Sequence, residues 1–491
     1  MGVVVASGMV GGKVLAMGAK LPEQAGEQIF GLSTEEIRRL LEIALSKGGD
    51  FSELFFEYSV NNSVTMSADI IKSSSESIDL GVGVRVLNGS QTGFGYTNEL
   101  TFESIKQTAL TAAAIANGAS KIKIANLNKV QPKVQVYDMK NLLADKDLET
   151  KIELIKEGYE AAKKYDPRIK KVTASLTDNV SYVTIANSEG LLISDKRPQA
   201  RLVVVSTAED GKVRNTGHGN AGGTIGLDFY KNKFTPTEIG KKSAREAIEL
   251  LSAKDAPAGE YPVVLGKNQS GVMIHEAVGH PLEADGIWKK TSVMAGRLGE
   301  MVASPLVTIY DDSSIPEYRG SSNFDDEGVV AQSAMLIEKG KLVGFLNDKL
   351  AAKMLKMPEN GHGRRENYSF PPIPRMNNTV LAKGDSTPEE IIRSVKKGFY
   401  AETYQGGMVE NTGKFTFSVN LGYMIEDGQI TRPIKNATLI GSNVAILKDI
   451  DMVANDTGFF LGTCGKDGQS QPVTAGTPTL RISKMTVGGT A

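Results

Sequence analysis

"KFTFSVNLGYMIEDG", residues 414–428, carries the clearest strand signal in the chain. Phe415, Phe417, Val419, Leu421, Tyr423 and Ile425 alternate without a break, and Glu426-Asp427-Gly428 then turns the chain. A period of two places these apolar side chains on one face, which makes that face core. Thr416, Ser418 and Asn420 fall on the opposite face, polar enough to meet solvent or a bound ligand.

Working outward, the last half of the chain starts after "KDAPAGE" with a strand in "YPVVLG" (261–266). Upstream, two smaller units share a helix-plus-meander plan. In the first, Ser33 and Glu36 form a capping box for a helix that Gly48-Gly49 stops. Val82, Val84 and Val86 then alternate before an Asn88-Gly89 turn, and a second helix begins near Thr101. In the second, a loop with "KVQPK" leads to the helix in "DKDLETKIELIKEGYEAAKKYDP", then to a meander of short strands from about Val172 to Thr207. The turns "NSEG" and "AEDG" leave no room for crossover helices, so hairpins are expected. The helix "TPTEIGKKSAREAIELLSA" closes this unit. The expectation is an α+β, antiparallel β-rich protein with units at 30–118 and 140–248 and a larger β-rich domain at 255–487.

Composition narrows the function. With 491 residues and 40% hydrophobic content, the chain can bury a large core. Lys and Arg total 56 against 57 Asp and Glu, so no basic field draws it to nucleic acid or an anionic membrane. No segment approaches the ~18 uncharged apolar residues of a membrane-spanning helix. The single cysteine, Cys464, forbids an internal disulfide framework and favours a reducing, cytoplasmic setting. The apolar start, "MGVVVASGMVGGKVLAMGAK", lacks a basic leading region and is cut by glycines and Lys13, so it is not read as a secretion signal.

The chemistry concentrates in "SGVMIHEAVGHPLEAD", residues 270–285. His275 and His280 are five apart, which on a regular helix turns their rings about 140° from each other. Two remedies suit the sequence. Gly279 and Pro281 bracket His280, so the helix can end near Gly279, with His280 swinging back from an extended position. Alternatively, a single π-type turn brings an i,i+5 pair into line. The plainer alternative is two unrelated histidines, but the chain has only four, and two share this window with an acid.

Two imidazoles leave a catalytic zinc site incomplete, because three protein ligands are usual. Cys464 is the soft candidate. A lone cysteine is more often a small buried hydrophobe, yet Gly462 and Gly465 bare its backbone and Lys466 would favour the thiolate. Glu276 needs no ligand role: it can take the proton of a metal-bound water and pass it to a leaving amine. Otherwise it is a solvated helix carboxylate, with Glu283 or Asp285 orienting the histidines. A His–His–Cys set suits Zn2+ and also holds iron or cobalt.

Four separated motifs, "HEAVGHPLEAD" (275–285), "FDDEG" (324–328), "GHGRRENYSFPPIPRMNNT" (361–379) and "GTCGKDGQ…PVTAGTPTL" (462–480), together resemble the TldD branch of the TldD/PmbA family of metallopeptidases. The resemblance starts near residue 33 and leaves out the apolar start. It implies zinc, with His275, His280 and Cys464 as ligands and Glu276 catalytic. It also implies a dimer, with a TldE/PmbA-like subunit or with itself, and unfolded or short peptides as substrates.

Other residues carry competing readings. Arg364 and Arg365 would clamp a peptide carboxylate or form structural ion pairs, the latter being commoner. His362 would approach the metal or serve only its loop. "FDDEG" would bind a hard cation, although contiguous acids more often solvate a turn. The function expected is a zinc peptidase acting on an extended peptide laid along a sheet edge. The alternatives are a non-catalytic, metal-stabilised assembly subunit, or a metal hydrolase of a non-peptide amide.

Overall fold

In the computed structural model, which describes residues 28–489 apart from 119–121, 132–134, 268 and 411–412, the two N-terminal units share one sheet. Strand Phe51–Ser67 of the first pairs antiparallel with Ile169–Asn187 of the second, from Glu53↔Asn187 to Ser67↔Thr173. Gln91–Thr97 and Ile70–Asn88 extend the sheet on one side; Leu191–Asp210, Val213–Gly223 and the short parallel strand Asn128–Val130 extend it on the other. Residues 1–27, which hold the apolar start, and residues 132–134, at the end of the "KVQPK" stretch, lie outside the described residues.

Local signals explain the helices. Ser33 caps Thr34–Ala44 reciprocally with Glu36, and Thr101 caps Phe102–Ala113. Leu148–Lys163 and Pro236–Ser252 cover the second unit's part of the sheet, with Leu154, Ile155, Ile239 and Ala244 in their core.

The meander of short strands is corrected to two long ones, 19 and 20 residues, joined at Asn187–Leu191. Thr177, Asp178 and Asn179 look like a loop but sit mid-strand, because Ser63, Asn62 and Asn61 pair opposite them. Asp178 tolerates that burial through Lys151, 2.9 Å away.

The remainder forms a six-stranded and an eight-stranded sheet over a common core. Val263, Phe399 and Val487 enter this core from the eight-stranded sheet, Ile309, Leu336 and Val473 from the other, and Met273, Ala277 and Leu282 from a helical segment.

Strand Lys414–Glu426 buries Phe415, Phe417 and Val419 in this core. Its alternation does not persist. The register shifts opposite Thr403 and Tyr404, and Leu421 turns instead to Leu250 and Ala253 of the second unit. Thr416 and Ser418 are exposed as expected. Asn420 is not: helix Pro236–Ser252 covers it, and its Nδ2 donates to Glu246 at 2.8 Å. Among the described residues no helix is long and apolar enough to cross a membrane.

Candidate metal centre

The helical segment changes pitch where the two histidines require it. Gly271–Ile274 is α-helical, His275–Gly279 is a π turn, and His280–Leu282 is 3-10. The His280 N–H donates to the His275 carbonyl, an i→i+5 bond that sets residues five apart on one face. The ring centroids lie 5.1 Å apart at 80°.

Of the two remedies read from the sequence, the π turn is therefore the one adopted. Gly279 is not left-handed: its φ is −56°. Its lack of a side chain serves close packing instead, since a Cβ there would stand 1.8 Å from Met376 Sδ. His280 keeps helical dihedrals, φ −57° and ψ −45°, despite the following proline.

Cys464 reaches this pair from strand Gly458–Lys466, the outer strand of the six-stranded sheet, hairpinned to Gln469–Thr477. Its Sγ is 3.3 Å from His280 Nε2, and one donor atom from each of His275, His280 and Cys464 lies within 4.8 Å of the others. Tetrahedral zinc bonds of about 2.0 Å to nitrogen and 2.3 Å to sulfur imply N···S separations of roughly 3.5 Å. The donor set fits such an ion. His275 adds a further sign, because its Nδ1 is buried without a hydrogen-bond partner.

Surrounding charges prepare these donors. Burial opposes ionisation of Cys464, but the His275 and His280 imidazoles outweigh it and bring the thiol down to about 5. Burial likewise works against the Glu283 carboxylate, and His280, then Lys466 and Arg375, overcome it and hold the group at about 2. Glu283 Oε2 lies 3.0 Å from His280 Nδ1, which leaves Nε2 facing the other donors. For His280 burial favours the neutral ring, yet Glu283 and Cys464 push its pKa well above the ordinary value.

Lys466 does not face the thiol. It binds Glu283 at 3.1 Å and Asp285 at 2.7 Å, so it steadies the carboxylate behind His280. Among the described residues Asp285 is bonded by Lys466 and by no histidine. Glu276 Oε2 is 3.8 Å from His280 Nε2, and burial lifts its carboxyl above the ordinary value, with the two imidazoles pulling the other way. It thus sits half-shielded beside the donor set, on a cleft of 720 Å³ that Gly406, Gly407 and Met408 also line.

Arg375 was not singled out in the sequence. Fully buried, it donates through Nη2 to the Cys464 carbonyl at 2.7 Å and through Nη1 to the Gln469 carbonyl at 3.2 Å, clamping the hairpin that presents the thiol. Its only sequence signal is its place in the "PPIPRMNNT" motif.

The remaining candidates fall away from the donor set. His362 is fully buried between Asp311, 3.1 Å away, and Asn360, 2.9 Å away. Arg365 pairs with Glu53, whereas Arg364 donates to the Met376 and Pro472 carbonyls.

The expectation that "FDDEG" solvates a turn is overturned. Asp325, Asp326 and Glu327 are all buried. Glu327 meets Arg85 at 2.6 Å, Asp326 meets Arg197, and Asp325 accepts the amides of Glu327, Val329 and Gly363. Contiguous acids survive here because arginines of the N-terminal sheet reach across to them. The loop joins that sheet to the C-terminal part.

This arrangement defines a candidate metal centre of metallopeptidase type. Profiles of PmbA/TldA metallopeptidases match residues 52–116 as domain 1, 141–251 as the central domain and 258–489 as the C-terminal domain. The chain belongs to the PmbA/TldA metallopeptidase family. It is 41% identical over 472 residues to the metalloprotease TldD homolog of Haemophilus influenzae, covering 94% of this chain and 97% of that one. It is 27% identical to the zinc metalloprotease TldD homolog of Saccharolobus solfataricus, covering 90% and 97%. The fold resembles that of TldE from Thermococcus kodakarensis, with a TM-score of 0.72 at 17% identity over 92% of this chain and 100% of that one. A candidate modulator of DNA gyrase from Thermotoga maritima shares it at 0.76 and 24% identity, over 92% and 99%.

Proposed function

We propose that this chain is a zinc-dependent peptidase of unfolded or short peptides, with His275, His280 and Cys464 as metal ligands and Glu276 as general base. The convergence of those three donors within 4.8 Å, from segments 184 residues apart, carries the reading. The zinc relative from Saccharolobus agrees with it. Zinc in such a site supplies Lewis acidity, polarising a carbonyl and acidifying a water.

The chain's own residues do the rest. Glu276 takes a proton from the water whose oxygen bonds to the scissile carbonyl carbon, then gives it to the amine nitrogen as the C–N bond breaks. Glu283 fixes the orientation of His280, and Arg375 fixes the Cys464 hairpin. The outer position of Gly458–Lys466 offers an edge to an extended peptide, recognised through main-chain hydrogen bonds. A backbone already paired within a fold could not dock there, so unfolded chains are preferred and side-chain specificity is loose.

Likeness to TldE supports a dimer with a TldE/PmbA-like subunit or a second copy, and the lone cysteine supports a cytoplasmic setting. The test is to purify the chain alone and with such a subunit, measure zinc per chain, and assay an unfolded peptide with and without chelator. Glu276→Gln should keep zinc and abolish hydrolysis. Hydrolysis by that variant at the parent rate would remove Glu276 as the base, and a zinc-loaded parent inactive in both forms would favour a non-catalytic subunit.

A further inference from the structure

His362 touches none of the three donors, yet it is tied to the stretch of chain that serves them all. Residues 375–377 support both halves of the donor set. Arg375 donates to the Cys464 carbonyl at 2.7 Å, and its Nε lies 3.8 Å from Glu283, the carboxylate behind His280. Met376 occupies the space beside Gly279, in the π turn that aligns His275 with His280. A displacement of this stretch would therefore reach Cys464 and the two histidines together.

What holds the stretch is polar and buried. The His362 carbonyl accepts the Arg375 amide at 2.9 Å. The His362 ring meets Asp311 through Nε2 at 3.1 Å and Asn360 through Nδ1 at 2.9 Å. Asp311, on strand Ile309–Asp312, in turn accepts the Asn377 amide at 3.0 Å and the Thr379 hydroxyl at 2.6 Å. His362 thus holds residue 375 directly and residue 377 through Asp311. His362, Asp311 and Asn377 have no solvent exposure, so losing one of these bonds leaves a buried polar group unpaired. Burial opposes the Asp311 carboxylate, but the contact with His362, followed by those with Thr379 and Asn377, brings it below the ordinary value. An apolar side chain could fill the space of His362 but would leave Asp311 a donor short.

We infer that His362 is a positioning residue of the metal centre: through Asp311 it fixes residues 375–377, and through them the relative placement of Cys464, His275 and His280. This rests on the metal-site reading above and adds to it a residue that touches neither metal nor peptide. None of His362, Asp311 and Asn377 lines the metal cleft, so the effect falls on metal affinity and ligand geometry rather than on substrate binding.

The test compares the full chain with His362→Gln and His362→Asn. A glutamine amide extends about as far as Nε2 and can still donate to Asp311; an asparagine amide, in the place of Nδ1, reaches only Asn360. Chelator competition should show zinc affinity about tenfold lower for His362→Asn, the lower end of the effect of a residue that orients a ligand. The glutamine variant should stay within about threefold of the parent. With Co2+ in place of zinc, the visible absorption of the thiolate–cobalt centre should shift in His362→Asn and match the parent in His362→Gln. At saturating zinc, His362→Asn should lower kcat for an unfolded peptide and leave KM near the parent value.

A folded asparagine variant that loses only stability, with zinc affinity and cobalt absorption at parent values, would overturn the inference and make His362 a core residue. Equal impairment of the two variants would overturn the route through Asp311. If circular dichroism shows the asparagine variant unfolded, Thr379→Val takes its place, since it removes another donor from the same carboxylate. It should lower zinc affinity about two- to tenfold, the range of one hydrogen bond, and parent-like affinity would again overturn the inference. A parent chain that binds neither zinc nor cobalt would instead count against the metal centre itself.

Discussion

Cys464 Sγ lies 3.3 Å from His280 Nε2, although 184 positions separate the two residues. A hairpin clamped by Arg375 delivers one and a π turn delivers the other, so neither depends on a mobile loop. Cys464→Ser should leave the fold unchanged by circular dichroism and lower zinc affinity by more than about 100-fold, because residues that merely orient a ligand already contribute about 10- to 100-fold. Competition with a chromophoric chelator measures this. Parent-like affinity would show that the thiolate is no ligand.

Glu283 should behave as one of those orienting residues. Glu283→Gln keeps an acceptor near His280 Nδ1 but loses the charge that Lys466 and Arg375 share. Zinc affinity should fall about 10- to 100-fold, and raising zinc should restore most of the activity. Activity that stays lost at saturating zinc would give Glu283 a part in the chemistry itself.

The arginine–carboxylate junction should govern stability. Arg85 bonds Glu53 at 2.7 Å and Glu327 at 2.6 Å with no exposure to solvent on any of the three side chains beyond 1%. Arg85→Ala leaves two buried carboxylates facing each other, at a cost of about 3–5 kcal/mol. Urea unfolding of Arg85→Ala and Arg85→Met against the parent checks this, and a loss under 1 kcal/mol for the alanine variant would contradict it.

How much of this could be read from residues alone follows from the range of each interaction. The Ser33–Glu36 capping box spans four residues and is written in them; so is the His275–His280 spacing, which already admits a π turn. The choice between that turn and a helix end was not legible, because Met376, far along the chain, occupies the space beside Gly279. The acids of residues 325–327 resembled a solvated turn for a similar reason: Arg85 and Arg197 lie more than a hundred positions away. Asn420 followed the alternation of its strand, but the register shift and the covering helix come from other segments. Local pattern reports local partners.

Acid and base should each lower stability, through two different buried carboxyls. Burial lifts Glu57 from 4.5 to about 7 in the fold, against amide and hydroxyl hydrogen bonds from Tyr368 and Ser59. A raised native pKa means the fold binds the proton more tightly than the unfolded chain. That contribution, on the order of 3 kcal/mol, is present below pH 4.5 and is lost as pH rises through about 7. Glu283 is depressed to about 2, so its contribution is lost as pH falls from about 4.5 through 2. Glu57→Gln, which keeps an acceptor for Tyr368, should flatten the slope of unfolding free energy between pH 5 and 7 seen by urea titration. An unchanged slope would mean that Glu57 is ionised in the fold throughout.

The π turn itself can be tested through Gly279. Its dihedrals suit any L residue, so an alanine there meets no backbone penalty; the obstacle is Met376 Sδ, 1.8 Å from the added methyl. Overpacking of this kind costs about 1–3 kcal/mol and displaces one partner. If the turn gives way, His275 and His280 separate and zinc affinity falls along with stability. Met376→Ala alone should destabilise by about 2–5 kcal/mol through its cavity, while Gly279→Ala with Met376→Ala should recover zinc affinity relative to Gly279→Ala. A double variant no better than Gly279→Ala would show that the glycine matters for a reason other than the sulfur packed against it.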